Sequence, residues 1–211
     1  LYMDLIKLNN SSILKAKSIK EGWLDSETNE VMFFKNDNYV IGYKVKSKTN
    51  DNYSISHKVD FSFNGNESVL FDNKKGARVY KGTSIEDART WMGFAKNDFV
   101  AEVKIRDSEK VNFITLSMLE NLDMKAIFPK RIEIYGKSND RWLPINQLEI
   151  DLQDHPDDRK SYFKEFTLAV NLEGYNEVKI VAVNHFKFPK APVYDRKRKY
   201  SWIFIDEVIF W

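Results

Sequence analysis

Trp202-Ile203-Phe204-Ile205-Asp206-Glu207-Val208-Ile209-Phe210-Trp211 holds eight aromatic or aliphatic side chains in ten residues, with no Gly, Pro or Asn. The run is too short to span a bilayer, and its β-branched and aromatic bias is that of a strand. Such a density of apolar side chains predicts a central strand covered on both faces. Strict alternation then puts Ile203, Ile205, Glu207 and Ile209 on one face, and Phe204, Asp206, Val208 and Phe210 on the other. Each face therefore carries one carboxylate among apolar neighbours. Burying an ion costs on the order of several kcal/mol, so each carboxylate requires a cation, a metal or backbone N–H groups.

Moving outward from this strand, the chain from Tyr39 onward reads as short strands divided by turns rich in Asn, Asp, Gly and Lys. Val40, Ile41, Tyr43 and Val45 open it, and Asn50–Asn52 and Asn64–Asn66 are turn clusters. Phe99, Ala101, Val103 and Ile105 alternate as a half-buried strand does. Between Val111 and Leu119 the apolar set moves from Val111 and Phe113 to Ile114, Leu116 and Met118, which predicts a bulge or a strand buried on two sides. Ile132 and Ile134, Phe166 and Leu168, and Val178–Val183 supply further strands. The connections are too brief for repeated crossover helices, so the expected fold is all-β, an antiparallel jelly-roll β-sandwich. Residues 1–38 read as a small β segment of their own. Ile13, Leu14, Ala16 and Ile19 and then Val31–Phe34 flank the turn-rich KEGWLDSETNE. Two or three strands are marginal alone, so this segment has to lean on something, and Trp23 reads as a packing residue rather than a ligand platform.

Charge narrows the function only a little. The 33 Lys+Arg against 31 Asp+Glu leave a net charge of +2, which gives no global field toward nucleic acid or a membrane. One local basic cluster, Arg196–Lys199, reads as a solvated loop ahead of a polyanion site. The absence of cysteine rules out disulfides without fixing a compartment. Because the chain opens on Leu1, it is expected to be a piece of a longer protein whose targeting signal lies upstream.

Catalysis finds little support in the residues. His57, His155 and His185 are far apart, no nucleophile motif or phosphate loop is present, and Asp157 and Asp158 sit in a polar run. Sugar recognition fits better, because it needs aromatic faces for stacking and planar polar groups for hydroxyls. Candidates in loop regions are Tyr80, Arg89 and Trp91, then His185 and Phe186, then Tyr194 and Arg196.

An ordered set of motifs carries a resemblance. LFDNKKGA, WMGFAKNDFVAEVKI, VNFITLSMLENLDMKAIFPKRIEIYGKSNDRWLPI, VKIVAVNHFKFP and WIFIDEVIF together resemble the discoidin, or coagulation-factor type C, family over residues 39–211. SSILKAKSIKEGWLDSETNEVMFF, within residues 1–38, resembles the closing strands of the small β-sandwich that follows the barrel in bacterial chitobiases and β-N-acetylhexosaminidases. The pair in this order is similar to the C-terminal part of bacterial family 20 glycoside hydrolases. The resemblance implies a galactose-binding-like jelly roll acting as a non-catalytic, ancillary carbohydrate-binding module of a secreted, periplasmic or cell-surface glycan-degrading enzyme. Its partners would be a glycan of galactose or N-acetylhexosamine type and the upstream domains of its own chain. It also implies packing beneath loops for Trp91, and one structural calcium ion joining Asp72 to Glu207, an oxygen set that calcium favours. The residues leave Glu207 a pairing with Arg78, Arg131 or backbone amides as the other solution. Where close relatives have a Trp-His-Pro-Gly loop this chain has APVYDRKRKYS, which keeps open a structural or protein-contact domain that binds no sugar.

Overall fold

The computed structural model describes residues 6–7, 12–33, 39–47, 70–71, 91–122, 126–151, 161–186 and 200–211. The chain divides into two compact units, Leu1–Asp37 and Asn38–Phe210.

In the first unit, β1 (Ser12–Ala16) pairs antiparallel with β2 (Asn29–Phe33). The turn between them is tied by Lys17 to Asp25 at 2.7 Å and by the Ser18 N–H to Ser26 Oγ at 2.8 Å. Trp23 does not pack as expected. It is 70% exposed, and among the described residues the Lys20 ammonium lies over its ring at 4.4 Å while the two paired strands offer no second layer to receive it.

The second unit is an antiparallel jelly-roll β-sandwich. Its strands are β3 (Val40–Val45), β4 (Met92–Ala95), β5 (Phe99–Ile105), β6 (Phe113–Glu120), β7 (Arg131–Ser138), β8 (Arg141–Glu149), β9 (Tyr162–Ala169), β10 (Glu177–Val183) and β11 (Trp202–Phe210). One sheet has the order β3-β5-β10-β7-β8 and the other β4-β11-β6-β9. Alternate residues of both sheets meet between them. Phe99, Ala101, Val103 and Ile105, Ile132 and Ile134, and Val178, Ile180 and Ala182 pack against Phe94, Ile114, Leu116, Met118, Phe166 and Leu168. Each such Ile, Leu or Phe contributes about 1.5–3 kcal/mol by leaving water.

β11 is the central strand of its sheet and is buried along its whole length. The expected division of its faces, however, is wrong beyond Ile205. Ile205 pairs with Met118 and Glu207 with Ser117, so one extra residue sits in β11 between them. Because side chains alternate with period two, this bulge exchanges the faces that follow it. Ile203, Ile205, Val208 and Phe210 all point into the inter-sheet core, and Glu207 does not share their face. The carboxylate is buried on the outer side, opposite the buried Ser117. β6 is the two-sided strand rather than a bulged one, since it pairs with β9 in unbroken register from Phe113 to Glu120.

β8 has no counterpart in the sequence reading. It is a mostly exposed strand at one end of its sheet, where Pro144, lacking an N–H, does little harm. Among the described residues no helix is long and apolar enough to cross a membrane.

A candidate binding rim

One end of the sandwich is where β4 turns into β5, where β10 ends and where β11 begins. The turn from Ala95 to Phe99 is too tight for ordinary backbone, and Lys96 takes a φ of +60°. Directly after β10, Phe186 takes a φ of +59°. A bulky residue in the left-handed region costs about 1–3 kcal/mol and persists only where its surroundings hold it.

Asn184 holds it. This residue is fully buried, and its side-chain Nδ2 donates toward the carbonyls of Asn97 (3.1 Å), Phe94 (3.3 Å) and Ser201 (3.4 Å). Its Oδ1 accepts from the Phe186 N–H at 3.0 Å and from the buried Ser201 hydroxyl at 2.5 Å. The backbone N–H of Asn184 donates to Asp98 Oδ1 at 2.8 Å. One side chain thereby ties three chain segments, and a single oxygen gathers Phe186 and the residue next to Tyr200 to one point. Both aromatic side chains stay 43% exposed, and the exposed Lys96 places its ammonium 3.9 Å from the centroid of the Tyr200 ring. Two partly exposed aromatic side chains and one cation are thereby carried at this end of the sandwich, and such groups can stack on and hydrogen-bond a sugar ring.

Of the residues singled out from sequence, His185 and Phe186 lie on the rim. His185 is half-buried and bonded to the Phe128 backbone, and its Nε2 is buried with no hydrogen-bond partner among the described residues. Burial lowers its pKa from 6.5, and the charge of Lys130 lowers it further. A neutral ring with an enclosed Nε2 presents nothing to a ligand hydroxyl through that atom.

Trp91 lies elsewhere. Fully buried, it belongs to a second cluster with Ala95, Leu119, Ala126, Trp202 and Phe204, and its ring is 5.8 Å from that of Phe163. A side chain with no exposed surface cannot stack on a ligand, so Trp91 is a packing residue here. Tyr80, Arg89, Tyr194, Arg196 and Asp72 lie outside the described residues.

Glu207 is remote from the rim. It stands five residues beyond Trp202 along β11, about 16 Å at strand rise. The Val208 N–H donates to the Leu70 carbonyl at 2.7 Å, so the Leu70–Phe71 turn, immediately before Asp72 in the chain, lies beside Glu207. A buried carboxylate next to that turn is compatible with an oxygen-seeking cation.

Tyr200 and Lys96 were not singled out from sequence. Nothing in AKND or KYS marks them as neighbours, since their proximity depends on Asn184, which bridges segments about ninety residues apart.

No protein-family model matches the chain, and no curated protein matches it. Among solved structures it is similar to CBM32-3 from a family 31 glycoside hydrolase of Clostridium perfringens, at 12% identity and a TM-score of 0.33, covering 66% of this chain and 86% of that one. It is also similar to the K2 cleaved adhesin domain of Lys-gingipain, at 9% identity and a TM-score of 0.31, covering 57% and 81%. Likenesses at these values do not bear on ligand or activity.

Proposed function

We propose that the unit Asn38–Phe210 is a non-catalytic, ancillary carbohydrate-binding module of a glycan-degrading enzyme that works outside the cell or at its surface. The observation that carries this reading is the rim at which Phe186, Tyr200 and Lys96 are held exposed by the buried Asn184. Backbone strain at two rim residues, in side chains that bury little, is expected where ligand contact rather than packing determines the residue. A glycan array probed with the 211-residue chain tests it. Binding that is lost in Phe186→Ala and Tyr200→Ala at an unchanged melting temperature supports the module, and a folded protein silent across galactose and N-acetylhexosamine termini refutes it for those ligands. A parent β-N-acetylhexosaminidase belongs to the same proposal.

A calcium ion between Asp72 and Glu207 is part of this reading. It is supported by the burial of Glu207 and by the adjacent Leu70 carbonyl bond to Val208. Calcium would add an oxygen-seeking cation beside the buried Glu207 carboxylate and pin the 70–71 turn to β11. Millimolar calcium should raise the melting temperature of the native chain and leave that of Glu207→Gln unmoved. Equal melting of the native chain in calcium and in chelator would refute the site.

For the first unit a protein-contact role is favoured, because Ile13, Val31 and Phe33 on the β1–β2 pair and Ile19 and Trp23 in the turn between them are exposed.

A further inference from the structure

We propose that a hollow on the outer face of the five-stranded sheet, between β3 and β10, is a second ligand site, one that takes a small hydroxylated carboxylate. It is remote from the rim, because Glu177 opens β10 seven residues before Asn184, about 23 Å at strand rise. The inference therefore does not depend on the rim being a sugar site.

The first observation is how the hollow arises. Glu102 and Lys104 alternate along β5 with Ala101, Val103 and Ile105, which point into the core, so they stand on the sheet's outer face. Val40 pairs with Ile105 and Gly42 with Lys104, which leaves Ile41 as an extra residue in β3, turned out to 54% exposure. Beside it, Gly42 puts no side chain opposite Lys104. The result is a cavity of about 410 Å³ lined by residues 41–44 of β3, Glu102 and Lys104 of β5 and Glu177 of β10. Small-molecule sites span roughly 300–1,000 Å³.

The second observation is an imbalance of ion pairing along this cavity. Lys44 stands directly opposite Glu102 in the register, and Lys104 directly opposite Glu177. Neither of these cross-strand pairs forms. Glu102 turns instead to Lys46, at 3.1 Å, and Glu177 to Lys137, which also reaches Asp140; these two contacts are 3.3 and 3.7 Å. Lys179, opposite Glu102 on its other side, lies over the Tyr135 ring at 4.4 Å. Lys44 and Lys104 thus line the cavity with no carboxylate in ion-pair distance among the described residues.

Two unpaired ammoniums favour an anion, since a charge-assisted bond is about twice as strong as a neutral one. Two half-buried carboxylates in the same wall disfavour a polyanion and favour a ligand that also donates hydrogen bonds. Glu102 meets Lys46 through Oε2, which leaves Oε1 to accept a hydroxyl. A single carboxylate beside hydroxyls on a short carbon frame meets both demands, and Ile41 offers its C–H groups an apolar wall.

Backbone-amide NMR of the 211-residue chain, titrated separately with methyl glucuronide, gluconate, methyl glucoside and propionate, tests this. The first two carry carboxylate and hydroxyls on a ring and on an open chain, the third lacks the charge and the fourth lacks the hydroxyls. We expect the Gly42, Glu102 and Lys104 amides to move with at least one of the first two at about tenfold lower concentration than with either control, and the affinity to fall about tenfold in Lys44→Gln and in Lys104→Gln. Which acid binds tells a sugar unit of a glycan from a free hydroxy acid. Propionate acting as well as the hydroxylated acids overturns the inference, because charge alone then suffices, and methyl glucoside acting as well overturns it because charge then contributes nothing. Shifts confined to the Phe186 and Tyr200 amides place the ligand at the rim and overturn it too, as does unaltered affinity in both lysine variants or no movement with any of the four. Each of these results leaves the rim to be judged by its own glycan array.

Discussion

Replacing Asn184 by Ala is the sharpest test of how the rim is built. The substitution removes an acceptor that serves the Phe186 N–H at 3.0 Å and the buried Ser201 hydroxyl at 2.5 Å, and donors that serve the Asn97 and Phe94 carbonyls. The backbone bond from Asn184 to Asp98 survives. Leaving a buried polar group unsatisfied costs about 1–3 kcal/mol. The Ser201 hydroxyl, fully buried, should bear that cost in full, whereas the Phe186 N–H near the surface can recover part of it from water. Together with the lost donors, the expected cost is about 3 kcal/mol, a large share of a typical domain's stability of roughly 5–15 kcal/mol. In a urea melt, with m near 2 kcal/mol/M, the midpoint should fall by about 1.5 M with little change in slope. Ser201→Ala removes only one donor and should cost about 1 kcal/mol, and the double variant should cost less than the sum, because both act on one oxygen. Glycan binding should weaken in Asn184→Ala even where the protein is still folded, since Phe186 loses the bond that holds its strained backbone. A midpoint for Asn184→Ala within about 0.5 M of the parent would refute the claim that this side chain organises the rim.

Other perturbations read other parts of the fold. A Cβ at Gly136 would lie 2.5 Å from Tyr175 Cδ1, so Gly136→Ala should destabilise by about 1–3 kcal/mol in the same melt, and Tyr175→Ala in the same chain should remove most of that cost. A destabilisation by Gly136→Ala that persists undiminished beside Tyr175→Ala would point to a different cause. His185 has a folded-state pKa below its unfolded value near 6.5, so the stability tied to its neutral ring is complete above about pH 6.5 and is lost as pH falls through the folded-state pKa. An NMR titration should show His185 below 6.5 and moving upward in Lys130→Gln; titration at or above 6.5 in the native protein would contradict its burial. Deleting Asp206 should leave a cooperatively folding chain, because removing the extra residue of the bulge keeps Ile203, Ile205, Val208 and Phe210 on one face. Deleting Ile205 instead turns Asp206 inward, and proteolysis should find that variant unfolded.

How far the sequence could be read differs from one element to the next. β5 and β7 announce themselves because their inward positions are apolar and most of their outward ones are not, and β10 does so as a nearly continuous apolar run. β8 stays silent because so few of its side chains are buried, and hydrophobic periodicity is a record of burial. In β11 the density of apolar residues marks a central strand, while the bulge at Asp206 leaves no trace in a segment that is apolar on both sides of it. Trp23 shows the converse failure, an aromatic residue that reads as a packing residue and is exposed, since among the described residues its two-stranded sheet has no second layer.

From the sequence alone came the class of fold, the place of most strands and the choice of His185 and Phe186 as residues to watch, since these depend on local pattern and composition. The tertiary structure alone decided that Glu207 faces away from Ile203 and Ile205, that Trp91 is sealed, and that Phe186, Tyr200 and Lys96 form one rim. The reason is the same in each case. A register shift or a buried amide bridging distant segments is set by which strands lie side by side, and that is a property of the assembled sheets rather than of any stretch of chain.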